Sequence, residues 1–272
     1  RSLSQLGHGQ KHLKPDKSFN DNGGPMKESA DANRDQNQAL TEILLTGNIV
    51  DCKLIPEGSN YTFLVTLEKE LATYRAIYKP SIGENPLWDF PDGSLYIREY
   101  CAYLVARSLC WHFIPCTVVR DGPYGIGSLQ QFIESDQLSN YFTLRERFDS
   151  EMRQIALLDY ITNNADRKAS HFLMDDYDQI WSIDHGLTFH ADPKLRTVVW
   201  DFIDEPIPKD LLDTIGEFYN DLKQDMPLNK ELSQMLNEDE ILALKLRTDI
   251  LISSGHFPLY DINRRNFPWP IF

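Results

Sequence analysis

The sequence predicts an α+β fold with two lobes, a β-rich first half containing one long helix and a mainly helical second half. Two observations lead to this prediction. Three segments rich in β-branched and aromatic residues follow one another between about residues 48 and 80, joined by polar turns. Beyond about residue 145, apolar residues recur at helical spacing instead. Because ligands prefer clefts between such units, we expect a site at the junction.

The first elements can be read in order. Residues 1–36 have few aliphatic residues and no apolar period, so we expect a disordered tail there. A short amphipathic helix stopped at Gly47 is then predicted from NQALTEILLTG. Three strands are predicted from NIVDCKLIP, TFLVTLEKE and TYRAIYKP, and a loop from the Gly/Pro-rich run SIGENPLWDFPDG.

The long helix comes next. A helix of about five turns with one buried face is predicted from LYIREYCAYLVARSLCWHF. Two more strands around an Asp-Gly turn follow from IPCTVVRDG and GIGSLQQFIE. The second half then predicts an amphipathic helix (RERFDSEMRQIALLDYITNN), a hairpin (HFLMDD and QIWSIDHG) and two or more helices over residues 208–255. We therefore place a first lobe at residues 37–134 and a second at residues 135–272.

Charge and composition argue against several partners. The formal charge is −14, which repels nucleic-acid phosphates and anionic lipid headgroups. No apolar run reaches the roughly 18 residues that span a bilayer, and the N-terminus lacks the apolar core of a signal peptide. Cys52, Cys101, Cys110 and Cys116 form no C-x-x-C pair, and we interpret them as core thiols in a reducing compartment. We expect a cytoplasmic protein with no nucleic-acid partner and no stable membrane insertion.

The residues that carry chemistry lie in the segment NNADRKASHFLMDDYDQIWSIDHG. Asp166 is in a loop after a predicted helix, and Asp184 follows the hairpin, two residues before Gly186. Phosphoryl transfer needs one carboxylate near the acceptor hydroxyl and a metal-binding carboxylate on the other side of the transferred phosphate. The two aspartates can supply both groups, and the glycine lets the chain turn sharply after the second.

These runs resemble those of a known family. D-R-K-x-x-H at residues 166–171 and I-D-H-G at residues 183–186 are similar to the D-R-H-x-x-N and D-F-G elements of the phosphatidylinositol 3/4-kinase-like superfamily, especially its small bacterial branch. The resemblance extends from about Leu44 to Phe202 and is most specific over residues 163–186. It implies a two-lobed, protein-kinase-like fold that uses ATP with Mg²⁺ or Mn²⁺.

The resemblance also implies roles for individual residues. Asp166 matches the catalytic-loop aspartate, and Asp184 matches the aspartate that binds the phosphate-bridging metal. His171 stands where the family has a metal-binding asparagine, and Arg167 is expected to brace the catalytic loop. Because imidazole suits softer divalent ions than Mg²⁺, His171 predicts tolerance of, or preference for, manganese.

A kinase site also needs a strand lysine that faces the α- and β-phosphates and a helix glutamate that orients it. Lys79, at a predicted strand end, resembles that lysine, and Glu99, early in the long helix, is its candidate partner. The turn of Gly58, Ser59 and Asn60 could lie over the phosphates, with its backbone N–H groups and the Ser59 hydroxyl as donors.

The adenine base has a candidate site of its own. The strand at residues 128–132 falls where the hinge between the lobes is expected. Its backbone, at Gln130, Gln131 and Phe132, is predicted to contact the base. With Lys79 and the turn at residues 58–60, these three residues complete the predicted nucleotide site.

Several functions remain open from the sequence. The first is an ATP-dependent phosphotransferase whose acceptor is a protein or small-molecule hydroxyl, since no basic patch for an inositol-lipid headgroup is apparent. The second is a nucleotide-binding pseudokinase that regulates a partner, suggested by the nonstandard turn and by His171. The third is a metallohydrolase built on the aspartates and histidines of residues 166–190. Transfer of AMP instead of phosphate on the same fold is a related alternative.

Overall fold

An antiparallel sheet of five strands forms the first half of the chain in the computed structural model, which describes residues 28–56, 58–224 and 226–272. The strand order is β1-β2-β3-β5-β4. Phe63, Val65 and Leu67 alternate with more exposed residues along the second strand and face the core, as the two-residue period of a strand requires. The strands are β1 (Asn48–Ile55), β2 (Thr62–Lys69), β3 (Ala72–Pro80), β4 (Thr117–Gly122) and β5 (Gly125–Gln131).

The first helix is longer than predicted. Helix α1 spans Glu28–Thr46 and therefore begins before Asn37, inside the segment predicted as a tail. The part of that prediction that concerns residues 1–27 lies outside the described residues. At the other end the helix stops before Gly47, as the sequence indicates.

The long helix of the first half ends earlier than predicted. Helix α2 spans Leu95–Ser108 and not residues 95–113. Cys110 adopts the left-handed conformation (φ 55°), the amide of Cys110 donates to the carbonyl of Arg107, and the amide of Trp111 donates to that of Ala106. This pair of bonds is a Schellman motif, which closes the helix.

All four cysteines are free, but Cys110 is exposed at this turn, so the prediction of a core thiol is wrong there.

The second half is mainly helical, as predicted. The strands of the hairpin are only three residues each, and the region from residue 208 to 255 contains three helices. The hydrophobic core is continuous between the two halves, with Val65 and Leu129 of the sheet in the same cluster as Leu244 of the last helix. The elements are α3 (Tyr141–Leu144), α4 (Asp149–Thr162), β6 (Phe172–Met174), β7 (Ile180–Ser182), α5 (Lys209–Lys223), α6 (Pro227–Ser233) and α7 (Glu238–Ser254).

The predicted α+β class is therefore confirmed. Two further features of the chain bear on function. A small second apolar cluster of Phe90, Leu95 and Ala165 joins the loop after β3 to the loop after α4. Among the helices that the structure describes, none is both long and apolar enough to cross a membrane.

Candidate active site

A cleft with a volume of about 370 Å³ lies between the sheet and the helical half. This volume is within the range of small-molecule sites. The loop after α4 and the segment after β7 form one wall, and the sheet with the start of α2 forms the other. The predicted site residues that line the cleft are Gly58, Ser59, Asn60, Lys79, Glu99, Gln130, Gln131, Phe132, Asp166, His171 and Asp184.

Lys79 joins the two walls of the cleft. Its Nζ donates to Glu99 Oε1 at 2.5 Å and to Asp184 Oδ1 at 2.8 Å. Burial alone would lower the pKa of Lys79, but the charges of Asp184 and Glu99 together raise it above its usual value. The lysine charge is in turn the main cause that lowers the pKa of Asp184 well below its usual range. The ammonium and the Asp184 carboxylate therefore keep their charges at neutral pH.

Glu99 is buried and held on both sides. Its Oε2 accepts a hydrogen bond from the backbone N–H of His185 at 3.0 Å, while Oε1 receives Lys79. Burial raises the pKa of Glu99, and the lysine and the amide oppose that rise. Asp184 itself is in the left-handed conformation (φ 63°), which aspartate tolerates better than most residues. Glu99 thus connects α2 directly to the segment that carries Asp184.

A fully buried ion pair lies behind the loop of residues 163–168, called the catalytic loop after the role that the sequence predicts for Asp166. Arg167 Nε donates to both carboxylate oxygens of Asp159 at 3.1 Å, and Arg167 Nη1 donates to the carbonyl of Ile183 at 2.6 Å. Asp159 also accepts hydrogen bonds from Asn164 and Thr197. Arg167 follows Asp166 and Ile183 precedes Asp184, so this network sets the positions of the two cleft aspartates relative to each other. Arg167 does not line the cleft, and its buried bonds hold the loop that carries Asp166.

Two asparagines complete the support of the loop. Asn163 ends α4 in the left-handed conformation, and its side chain bonds the backbone of His190, Asp192 and Lys194. The Asn164 side chain accepts a hydrogen bond from the Asp166 backbone N–H at 3.0 Å. Both asparagine side chains form hydrogen bonds with other groups of the protein, and these bonds hold the loop in its conformation.

Asp166 faces the cleft with a cation beside it. Burial raises the pKa of its carboxyl group, and the ammonium of Lys168, 3.0 Å from Oδ2, opposes that rise. Lys168 also lines the cleft. The carboxylate and the ammonium are therefore both within reach of a ligand there.

His171 lies next to Asp184. Its Nδ1 accepts a hydrogen bond from the Lys168 backbone N–H, and its Nε2 is 3.3 Å from Asp184 Oδ2. Burial lowers the pKa of His171 to about 3, so the ring is neutral at neutral pH. With Nδ1 as an acceptor, the ring proton lies on Nε2 and points to Asp184. Ligation of a metal through Nε2 requires the other tautomer.

The donor set suits an ion that is shared with a substrate. The Asp184 side chain is 51% exposed and ionised, and His171 is adjacent to it. Across the described residues, no group of three or more His, Cys, Asp or Glu side chains could hold a metal ion. Mg²⁺ is commonly bound by one or two carboxylates together with substrate phosphates, and the Asp184 carboxylate fits that arrangement, whereas His171 fits it only after its ring proton moves from Nε2 to Nδ1.

The turn between β1 and β2 is more exposed than the catalytic loop. Gly58 adopts φ 104°, a conformation that favours glycine. Asn60 Oδ1 accepts a hydrogen bond from the Asn85 backbone N–H at 2.8 Å, and the Asn85 side chain donates to the carbonyl of Ser59. The turn is therefore tied to the loop after β3, above the cleft.

The predicted hinge residues line the cleft, but two of their amides are already bonded. Gln131 N–H donates to the carbonyl of Cys116, and Phe132 N–H donates to that of Arg75. Ile133 also lines the cleft, and its amide donates to no acceptor among the described residues. A backbone donor without a described acceptor therefore lines the cleft one residue beyond the predicted segment.

Sequence reasoning missed Glu84 as well as Ile133. Glu84 lines the cleft and accepts hydrogen bonds from the first amides of α2, Leu95 N–H at 2.9 Å and Tyr96 N–H at 2.7 Å. Ser94, the residue at the usual capping position, makes no side-chain cap bond. No local pattern could have identified Glu84, because it is distant in sequence from the helix that it caps.

The loop after β3 borders the side of the cleft where Asp166 lies. Leu87 and Leu187 pack against the apolar cluster that contains Ala165, the residue directly before Asp166. The next residue of the loop, Trp88, is 93% exposed, and the Lys194 ammonium lies 5.1 Å from its ring. This border therefore combines apolar side chains with the Lys194–Asp89 ion pair, and Trp88 is open to solvent.

Comparison of the sequence with known proteins shows which family it matches. The family model described as "Phosphatidylinositol 3- and 4-kinase" matches residues 117–238. Protein Rv2133c of Mycobacterium tuberculosis (strain ATCC 25618 / H37Rv) is 33% identical over 265 residues, which cover 85% of this chain and 94% of that protein.

Two solved structures are similar in fold. The crystal structure of the Golgi casein kinase has a TM-score of 0.54 and 16% identity, covering 81% of this chain and 74% of that chain. The same kinase with Mn/ADP bound has a TM-score of 0.54 and 14% identity, covering 88% and 81% of the two chains. These likenesses concern the fold and confirm the predicted protein-kinase-like architecture. The relative that is matched along almost its whole length, together with the family model, shows that the chain belongs to the phosphatidylinositol 3/4-kinase-like superfamily, in its small bacterial branch.

Proposed function

We propose that the protein transfers a phosphoryl group from ATP to a hydroxyl group of a protein or a small molecule. The observation that carries the proposal is the bonding of Lys79 to both Glu99 and Asp184 in a cleft that Asp166 also lines. A lysine, a helix glutamate, a metal-binding aspartate and an acceptor-side aspartate are the groups that kinases use. Membership of a kinase family supports a kinase-like phosphotransferase in general terms.

The sheet side of the cleft holds the nucleotide in this proposal. Lys79, oriented by Glu99, binds the α- and β-phosphates, and the turn of Gly58, Ser59 and Asn60 covers them. The amide of Ile133 donates to the adenine base. The Mn/ADP complex of the Golgi casein kinase supports the use of a nucleotide with a divalent ion on this fold.

Asp184 and His171 would hold the divalent ion at the phosphates. An ion bound there neutralises charge on the transferring group. In this arrangement the Lys79 ammonium binds the nucleotide phosphates, and the Asp184 carboxylate would bind the ion. The buried bonds of Glu99 and Arg167 keep these side chains in place, so little reorganisation is needed at the moment of reaction.

Asp166 orients the acceptor hydroxyl and takes its proton late in the transfer. Lys168 balances the charge of Asp166 and can contact the transferring phosphate. Leu187 lines the cleft on the acceptor side. The gain in rate comes mainly from positioning and electrostatics, since phosphoryl transfer asks little covalent chemistry of the protein.

The acceptor is a protein or small molecule and not an inositol lipid in this proposal. The net charge of −14 is unfavourable for an anionic membrane surface. Four free cysteines support a cytoplasmic location. We assign the nucleotide-binding lobe to residues 37–134 and the acceptor lobe to residues 135–272.

The alternatives have less support. A pseudokinase would be expected to lack one of the charged groups, whereas Lys79, Asp166 and Asp184 all face the cleft. A metallohydrolase needs a protein-only metal cage, and the part of the chain that the structure describes offers no such cluster. AMP transfer would use the same site and differs only in its product.

The test is incubation with ATP labelled at the α- or γ-phosphate, with Mg²⁺ or Mn²⁺, followed by mass spectrometry of the products. We expect γ-label on an acceptor, or released on hydrolysis, from wild type and not from Asp184→Ala. Asp213→Ala removes a surface carboxylate and is the matched control. Transfer of α-label would show AMP transfer, and nucleotide binding without turnover under either metal would contradict the proposal.

A further inference from the structure

Arg98 is a buried cation on α2, directly beside Glu99, and only 2% of it is exposed. Its Nη1 donates to the carbonyl of Thr188 at 2.6 Å, and its Nη2 donates to Glu240 Oε1. The guanidinium also lies over the Phe90 ring, 5.1 Å from the centroid. Arg98 thus contacts the loop after β3, the segment after Asp184, and α7.

Glu240, which is 5% exposed, is fixed by a second set of bonds at the start of α7. Its Oε2 accepts a hydrogen bond from the Asn237 backbone N–H, while the Asn237 side chain accepts one from the Glu240 backbone N–H. This capping box holds the carboxylate rigidly at the helix terminus. The Arg98 side chain is therefore bound to a fixed point of the helical half.

Neighbouring residues on a helix project about 100° apart, so α2 can present Glu99 to the cleft and Arg98 to the helical half. Glu99 binds Lys79 and the His185 amide, and Arg98 binds the Thr188 carbonyl a short distance further along the same segment. A shift of α2 along or about its axis would break both sets of bonds together.

We propose that Arg98 and Glu240 are positioning residues that fix α2 against α7 and the segment after Asp184, so that Glu99 meets Lys79 before any ligand or partner binds. This inference rests on the proposed function, because it assigns the pair to the assembly of the phosphate-binding centre. It predicts a kinase-like site that is assembled in the resting protein, with α2 fixed in its working position.

A stabilising role alone would give a different result from a positioning role. Replacement of a buried ion pair by apolar residues of similar volume often leaves stability unchanged or raised, whereas removal of one partner lowers it strongly. The variant Arg98→Met/Glu240→Leu should therefore remain folded while it loses the directional bonds that orient α2. Glu240→Gln keeps the capping box and the volume and removes the charge that Arg98 meets.

The experiment compares wild type, both variants and Tyr100→Phe. Tyr100→Phe removes a different bond between α2 and the helical half, the one from the Tyr100 hydroxyl to Glu231 at 2.9 Å, and is the matched control. We expect kcat for ATP turnover to fall roughly 100-fold in the double variant, because small misplacements of catalytic groups cost about that much. Glu240→Gln should show a smaller loss in the same direction, and Tyr100→Phe should match wild type.

A second measurement does not depend on turnover. The rate at which an amine-reactive reagent modifies Lys79, followed by mass spectrometry at pH 8, reports whether Glu99 still pairs with the ammonium. We expect faster modification of Lys79 in the double variant and in Glu240→Gln, and no change in Tyr100→Phe. If wild type shows no turnover, the proposed function fails, and the modification rates still decide the positioning role.

The inference is overturned if a folded double variant keeps wild-type kcat and wild-type Lys79 reactivity. It is also overturned if Tyr100→Phe lowers kcat and speeds the modification of Lys79 as much as the double variant does, because the loss of any contact of α2 would then have the same effect. Should the double variant fail to fold, unchanged kcat and reactivity in folded Glu240→Gln would overturn the inference as well.

Discussion

The catalytic loop and the turn between β1 and β2 flank the same cleft but are held in opposite ways. Behind the loop, Asp159 and Arg167 are fully buried and bonded to each other and to three further groups. Across the cleft, the turn at residues 58–60 is largely exposed and held mainly through Asn85. Under the proposed function, the difference predicts that the loop fixes the geometry of transfer, while the turn adjusts to the nucleotide.

The largest expected effect tests the rigid side. Asp166→Ala removes the carboxylate that we propose orients the acceptor and should lower kcat by about 10³-fold, ~4 kcal/mol, while nucleotide affinity persists. Turnover and nucleotide binding, measured on the same preparation, check this. An equal loss of both would assign Asp166 to nucleotide binding and remove the distinction between the two regions.

The second prediction concerns stability behind the loop. Arg167→Met leaves the Asp159 carboxylate buried without its cation and should lower the free energy of unfolding by about 3–5 kcal/mol. Urea denaturation measures this. The control is Arg145→Met, which breaks an exposed pair with Asp201 and should cost less than about 1 kcal/mol. Similar losses in both variants would show that the buried network contributes no special rigidity.

The third prediction concerns the metal. His171→Asn replaces an imidazole by an oxygen ligand, which favours Mg²⁺ over softer ions. We expect the ratio of the Mg²⁺-supported rate to the Mn²⁺-supported rate to rise by about tenfold. Initial rates with each ion at saturation check this, and His256→Asn, an exposed histidine far along the chain, is the control. An unchanged ratio would mean that His171 does not bind the ion and only donates a hydrogen bond to Asp184.

The smallest expected effect tests the exposed side. Asn85→Ala frees the turn at residues 58–60 and should raise KM for ATP about two- to fivefold with little change in kcat, since single hydrogen bonds contribute about 0.5–1.5 kcal/mol. Steady-state kinetics measure both constants, and Asn220→Ala, on an exposed helix face, is the control. A large fall in kcat would instead show that the turn is part of the rigid centre.

Much of the fold was predictable because it is local. Period-two burial along β2 and helical spacing in α4 come directly from the order of side chains. The end of α2 was not predictable in this way. Apolar residues continue past Ser108, but the chain turns at Cys110 in a Schellman motif, because Trp111 and Phe113 pack into the core as part of the following segment.

The sequence by itself determined the chemistry of the candidate site: its aspartates, its strand lysine and the family to which they belong. Their roles in catalysis stay predictions. Only the tertiary structure decided which distant groups bond the buried charges around the site, such as Asp159 for Arg167 and Glu240 for Arg98. It also decided that the Ile133 amide meets no acceptor among the described residues and that Glu84 caps α2. The physical reason is that a buried charge or amide needs a partner, but nothing in the local sequence specifies which remote element supplies it.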